Sequence, residues 1–516
     1  MHDAVSSSHR SECTRFLFPS SRDARSPVVP SNFEVEPYNP RILDDARQLQ
    51  AVLSIVHQPR QSAPFIIFGP PGTGKTVTVI EAILQVLKYN PQWKVLACAP
   101  SDTAADLLTR RLCSHLSEDK LFRLNSISRP IHDCPKSLWP YSNINGHNVF
   151  AYLPREELKK FSVIVSTCSS AGLVSGIHLP RGHFSHVFLD EANQAEEPLA
   201  MIPILGAVGS ETRVILAGDT NQLGPVIRCH TAGRRGLRTS YLARLLAIGG
   251  VYDVEKNHGR TIVKLIQNRR SHGSIIAFSN RFFYEDELRA SARRETTTSL
   301  FGSPILQDLQ FPLVFHGISG EGQRSGRSQL YYNNGEASLV KEYCLRLVKD
   351  PARHVEPAEI GVITPYRAQV KRIKTLLYEA GHGLEQVMVG AVEQFQGQER
   401  RIIIFSTVRG HEGLSQLSSM DLPTERCHLN VALTRPQALL IVIGDPCVLG
   451  MDLMWRAFLN FVHSRGACTG KPFNWNHEEV VTPPGYEEVR LQGQAIIRGE
   501  EFVDGIRSSI FKRQGS

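Results

Sequence analysis

The chain has 516 residues, a formal net charge of +8 and ten cysteines. That length holds two or three domains with large apolar cores, and no apolar run reaches the length of a membrane span. The cysteines form no C-x-x-C pair, which sets reduced, buried thiols in an intracellular protein ahead of zinc or disulfides, and the charge mildly favours a polyanionic partner.

The first 35 residues are rich in Ser and Arg (Ser6-Ser7-Ser8, Arg10, Arg15, Ser20-Ser21, Arg22, Arg25), yet Asp3, Glu12 and Asp23 interrupt them. Transit peptides are acid-poor, so the expectation over 1–35 is a disordered tail. Next comes Phe65-Ile66-Ile67-Phe68, an apolar strand running into Gly69-Pro70-Pro71-Gly72-Thr73-Gly74-Lys75-Thr76 and an amphipathic helix from Val77 to about Lys88. Glycines let successive backbone N–H groups converge on one point, and the helix aims its positive end there. Lys75 then reaches the β- and γ-phosphates of a nucleotide, and the Thr76 hydroxyl sits on Mg²⁺.

Further apolar runs follow at Val95–Cys98, Val163–Val165, Val187–Leu189 and Val214–Leu216. A second set lies at Leu313–Phe315, Ile360–Ile363, Val387–Val389, Ile402–Phe405 and Leu439–Ile443. Such β-branched runs between helical segments predict parallel sheets covered on both faces. The polar, glycine-bearing stretch Gly249–Thr261 is the candidate junction between two α/β halves. Ligands of parallel sheets bind outside the carboxyl ends of the strands, which puts a nucleotide in the cleft between the halves. Val187-Phe188-Leu189-Asp190-Glu191 ends a strand in two acids. Asp190 suits Mg²⁺, and Glu191 suits orientation of the attacking water. Gln222, just past the next strand, is placed to reach a γ-phosphate.

Taken together, Gly69–Thr76, Asp190-Glu191-Ala192-Asn193-Gln194-Ala195 and Gly218-Asp219-x-x-Gln222-Leu223-Gly224-Pro225 resemble motifs I, II and III of superfamily 1 helicases. Ile363-Thr364-Pro365-Tyr366-Arg367-Ala368-Gln369, Val392–Glu399 and Leu429–Arg435 resemble later motifs of the same family, in the same order, over roughly 36–470. The branch resembled is the up-frameshift-type RNA helicases, and within it the Armitage-like (Mov-type) silencing helicases. The resemblance implies two tandem RecA-like domains with an interdomain ATP cleft, bounded as 36–255 and 256–472, and a C-terminal extension at 473–516. It implies ATP and Mg²⁺ as cofactors, with Thr76 and Asp190 at the metal. Gln48 is expected to read adenine. Gly69, Pro70, Pro71, Gly72, Thr73, Gly74, Lys75, Arg269, Gly397 and Glu399 are expected to line the nucleotide. Gln222 is the expected γ-phosphate sensor, and Arg270 and Arg435 are the expected arginine fingers, both reaching Lys75 from the second half. Pro100, Ser101, Thr167, Thr364, Pro365, Tyr366 and Gln369 are expected to hold single-stranded RNA by its backbone.

The pattern departs at Asp102 (Asn in the family), Arg269 (Tyr), Gly273 (Pro), Glu393 (Asp), Pro436 (Ala) and Gln437 (a basic residue). Family members also carry a β-barrel stalk before the Gln48 element, and the 47 residues preceding it here are too few for one. ATPase activity is therefore expected ahead of processive unwinding. The expected function is an ATP-dependent RNA helicase or translocase moving 5′→3′, in the cytoplasm, with ribonucleoprotein granules and the nucleus left open and a silencing role implied by the resemblance. Two rivals stand beside it: a DNA-directed helicase of the same superfamily, and an RNA-binding scaffold with weak ATPase.

Overall fold

The computed structural model describes residues 13–30, 35–177, 179–319, 323–324, 331–408, 422–478 and 481. In chain order the strands are β1 (Phe65–Phe68), β2 (Val95–Ala99), β3 (Leu121–Leu124), β4 (Val163–Thr167), β5 (His186–Leu189), β6 (Arg213–Gly218), β7 (Ile262–Lys264), β8 (Gln267–Asn268) and β9 (Arg289–Ala290). They continue with β10 (Leu313–Gly317), β11 (Gln323–Arg324), β12 (Tyr331–Tyr332), β13 (Ile360–Ile363), β14 (Met388–Gly390), β15 (Arg400–Ser406), β16 (Pro436–Gly444) and β17 (Cys468–Gly470). Among the described residues two sheets carry the fold, in the orders β3-β4-β2-β5-β6-β1-β7 and β14-β13-β15-β16-β10-β17. Every pairing within them is parallel.

Alternation explains why both faces are covered. In β1, Phe65 and Ile67 enter one core and Ile66 and Phe68 the other. In β15, Ile402 and Ile404 face one core while Ile403 and Phe405 face the opposite one. Each such side chain contributes about 1.5–3 kcal/mol on full burial. The result is two α/β lobes, as the apolar runs predict.

Three expectations need correction. Residues 13–30 are not a free tail. Phe16 and Leu17 are buried in the first lobe's core, the Tyr241 hydroxyl donates to the Phe16 carbonyl, and Arg15 Nη2 donates to the Ser210 carbonyl at 2.9 Å. Farther along, Ala63 N donates to Asp23 O at 3.0 Å. A short apolar stretch inside a polar one straps this segment to the lobe, while 1–12 and 31–34 lie outside the described residues. Nor does the first lobe stop at 255, because β7 pairs with β1 through Ile66↔Ile262 and Phe68↔Lys264. Finally, the expected C-terminal extension begins on the second lobe. Phe473 and Trp475 stack with ring centroids 4.7 Å apart, and Trp475 Nε1 donates to Asn460 Oδ1 at 2.9 Å on the helix Leu453–His463. Residues 479–480 and 482–516 lie outside the described residues.

Candidate active site

The loop between β1 and the helix Lys75–Tyr89 turns through Gly72 (φ 71°) and Gly74 (φ 80°). A side chain at Gly72 would lie 2.7 Å from both Arg270 Cβ and Asn268 Nδ2, so the loop and the crossover between lobes approach too closely for any other residue. Asn268 fastens this approach. Its Nδ2 donates to the Pro71 carbonyl at 2.7 Å, and Arg269 N donates to the Gly72 carbonyl at 2.8 Å. On the other flank Gln48 is buried and donates from Nε2 to the Thr73 carbonyl at 2.9 Å. Gln48 stands in the first turn of the helix Ala46–Val56, which Asp45 caps. Arg269 reaches the same end, with Nη2 3.5 Å from Asp45 Oδ2.

The acids follow β5. Asp190 is buried and accepts from Thr76 Oγ1 at 2.9 Å, which joins the two expected metal ligands. Burial and the neighbouring Glu191 push its carboxyl up to about 6. Glu191 stands in the left-handed region at φ 53°, a conformation costing a non-glycine residue about 1–3 kcal/mol. That turn aims its carboxylate at Lys75, with Nζ 3.2 Å from Oε1. Burial works against the Lys75 charge, but Glu191, Asp190 and Asp219 outweigh it and raise its pKa. Oxygen donors of this kind, a hydroxyl and a carboxylate beside a phosphate cradle, fit Mg²⁺.

The second lobe closes the pocket. Arg435, between the helix Leu422–Leu433 and β16, is buried, and its Nη2 donates to Gln222 Oε1 at 2.9 Å across the cleft. Burial, and then the charge of Arg270, lower its pKa to about 9, so it remains cationic at neutral pH. Arg270 corrects the expectation that both arginines come from the far half. Its backbone lies against the phosphate loop, in the crossover, and only its guanidinium reaches over, to Thr434 O at 3.0 Å and Glu399 Oε2 at 2.5 Å. Gln437, one of the departures, also meets Glu399, donating from Nε2 at 3.0 Å. Gly397 takes φ 69° in the turn ahead of Glu399.

The expected strand-binding residues form a separate group at the carboxyl ends of β2, β4 and β13. Ser101 and Pro365 are exposed, while Pro100 and Tyr366 are half-buried. Ser101 caps the helix Asp102–Leu112 by accepting from Ala104 N. Thr167 is buried and bonded to Ser170, and Thr364 is fully buried, its hydroxyl without a partner among the described residues. Gln369 must be reassigned. It is fully buried, accepts from Asn333 N at 2.9 Å, and donates to Asn333 O at 3.1 Å and Ser406 Oγ at 3.0 Å. Its amide is fully used in joining three elements of the second lobe. Asp102 does not present a bare carboxylate, since Arg123 Nη2 lies 2.7 Å away and Arg129 Nη1 3.5 Å away.

Residue types alone do not reveal a bridge behind Gln222. Asp219 accepts from Gln222 Nε2 and from the Tyr284 hydroxyl, both at 2.8 Å. Asn430 Nδ2 in turn donates to Tyr284 Oη and to the Asn221 carbonyl, again at 2.8 Å. Asp219 and Asn430 at least lie inside motif stretches. Tyr284 carries no sequence signal.

Two family models, each described as an AAA domain, match residues 44–137 with 142–229 and residues 250–447. The RNA helicase Mov10l1 of Mus musculus is 40% identical over 458 residues, covering 86% of this chain and 37% of that protein. "Probable RNA helicase armi" of Drosophila melanogaster is 32% identical over 462 residues, covering 82% and 38%. Over more than four-fifths of its length this chain is similar to Mov-type RNA helicases, and each half carries one of the two AAA domain matches. It spans about half the length, or less, of the curated relatives it matches. No helix among the described residues is long and apolar enough to cross a membrane.

Proposed function

We propose that the chain is the motor core of an ATP-dependent RNA helicase or translocase. The observation that carries this reading is the Arg435–Gln222 contact at 2.9 Å, which sets a second-lobe guanidinium on the sensor turn of the lobe that holds Lys75. Lys75 and the N–H groups of Gly72–Thr76 receive the phosphates. Thr76 and Asp190 would hold Mg²⁺, which would supply positive charge to offset that of the phosphates. Glu191 accepts the proton of the water that attacks the γ-phosphorus. Lys75, Arg270 and Arg435 stabilise charge on the departing oxygens, and they do so together only when the lobes are closed. Hydrolysis is thereby coupled to closure on a single strand held at Pro100, Ser101, Thr167, Pro365 and Tyr366, with the fully buried Thr364 supporting the turn that carries Pro365 and Tyr366.

RNA as the strand is supported by the names of the relatives. Movement 5′→3′ and a role in silencing extend the reading through the resemblance to Armitage-like helicases. A cytoplasmic setting, ribonucleoprotein granules included, fits cysteines that form no disulfide among the described residues. The test is ATP hydrolysis with and without single-stranded RNA or DNA. RNA-stimulated turnover that Lys75→Ala abolishes is expected. Equal rates in the wild type and Lys75→Ala would refute the enzyme, and stimulation by DNA alone would refute the choice of strand.

A further inference from the structure

From Thr220 to Tyr252 the chain has no Asp or Glu, yet it carries five arginines: Arg228, Arg234, Arg235, Arg238 and Arg244. Arg244 is neutralised by Glu197, with Nη2 2.6 Å from Oε1. Arg238 lies over Gly233, where a Cβ would come within 2.6 Å of its Nε. Arg228, Arg234 and Arg235 are exposed, and among the described residues none of them has an acidic partner. Long arginines left solvated in an acid-free stretch project positive charge outward.

The stretch is held at both ends, and its first anchor belongs to the active site. It leaves β6 through the turn of Asp219 and Gln222, where Asn221 Nδ2 donates to the Phe283 carbonyl of the second lobe at 2.6 Å and Asn193 Nδ2 donates to the Leu223 carbonyl at 2.9 Å. It runs through the helical turns His230–Ala232 and Gly233–Leu237 and returns at Ser240, which pairs with Glu196, five residues beyond Glu191. Gly224 lies under the returning chain, its missing Cβ position 3.6 Å from the Arg238 carbonyl. The sheet order β4-β2-β5-β6 puts this loop on the same carboxyl edge as Thr167 and Pro100, with Asp190 and Glu191 between them.

We propose that Arg228, Arg234 and Arg235 form a further binding patch for the phosphodiester backbone of a single strand, seated on the turn that carries the γ-phosphate sensor. The proposal rests on the helicase reading and adds a contact site to it. Guanidinium groups grip phosphate by charge and paired N–H bonds without reading bases, which suits a strand that must slide. A strand drawn over this patch presses on a turn shared by Gln222 and the second lobe, so strand occupancy is felt at the nucleotide.

The experiment uses the full chain and a fluorescent oligouridylate, with affinity measured across a salt series. Each phosphate contact to a single strand contributes about 0.7 to the slope of log K against log salt. The triple variant Arg228→Ala, Arg234→Ala, Arg235→Ala is expected to flatten that slope by about 2. The triple lysine variant, which keeps the charges, is expected to retain it. An alanine variant with the wild-type slope and affinity would overturn the patch while leaving the helicase reading in place. A wild-type chain that binds no oligouridylate would overturn both. Loss of binding to polyglutamate with oligouridylate binding unchanged would assign the patch to an acidic protein and overturn the proposal.

Discussion

Glu191→Gln separates nucleotide binding from hydrolysis. In the structure the Glu191 carboxylate occupies Lys75, at 3.2 Å, with both side chains largely buried. A triphosphate entering the cradle must draw Lys75 away from this partner. At that distance two unit charges interact by about 5 kcal/mol at an effective dielectric of about 20. Most of this is offset by desolvation, and a charge-assisted hydrogen bond contributes about 1.5–3 kcal/mol net. Glutamine keeps an acceptor oxygen but loses the charge, so the competition falls toward the lower figure, about tenfold in nucleotide affinity. The same change removes the proton acceptor for water, which costs about 10² to 10⁴ in turnover. Equilibrium titration with a fluorescent ATP analogue, paired with single-turnover phosphate release, measures both. A variant that binds nucleotide no tighter than the wild type would refute the competition between Glu191 and phosphate. One that hydrolyses at the wild-type rate would refute its role toward water.

Tyr284→Phe removes the hydroxyl joining Asp219 to Asn430 and is expected to destabilise the protein by about 1–2 kcal/mol, read as a lower urea midpoint. It should also weaken strand stimulation of hydrolysis; an unchanged midpoint and stimulation would show the bridge to be idle. Glu336, fully buried at the start of the helix Asn334–Val348, meets the Ser406 hydroxyl, the Val408 N–H, the Asn333 amide and the field of Asp445, which is itself paired with Lys471. Burial raises its carboxyl from 4.5 to about 7. The folded chain therefore keeps a proton that the unfolded chain releases, and this contribution, complete below pH 4.5, is lost as pH rises to about 7, by roughly 3 kcal/mol. Glu336→Gln should flatten that part of the stability profile relative to the wild type, and parallel profiles for the two proteins would refute it.

What was legible in the sequence was contiguous. Gly69–Thr76 and Asp190-Glu191 declare themselves because strand, turn and chemistry lie within a few residues. β3 was hidden by Arg123, a charge inside the apolar run Leu121–Leu124. It is fully buried because Asp106 and Asp102 accept from it at 3.0 and 2.7 Å. Gln369 read as a free amide because its partners Asn333 and Ser406 lie 36 and 37 residues away. Tyr284 meets Asp219 across 65 residues and Asn430 across 146, distances over which no local pattern holds. The strap at Phe16-Leu17 was lost in the average polarity of its surroundings.

The crossover at Asn268–His272 is fastened to both lobes, by Pro71 and Gly72 on one side and by the Pro436 and Gln437 carbonyls on the other. A hinge pinned there behaves like the spine of a book. Rotation about it would leave the groups beside it, such as Arg269, nearly in place, while groups farther from it would move more. A small turn at such a spine would therefore be felt most where the two lobes lie farthest from it.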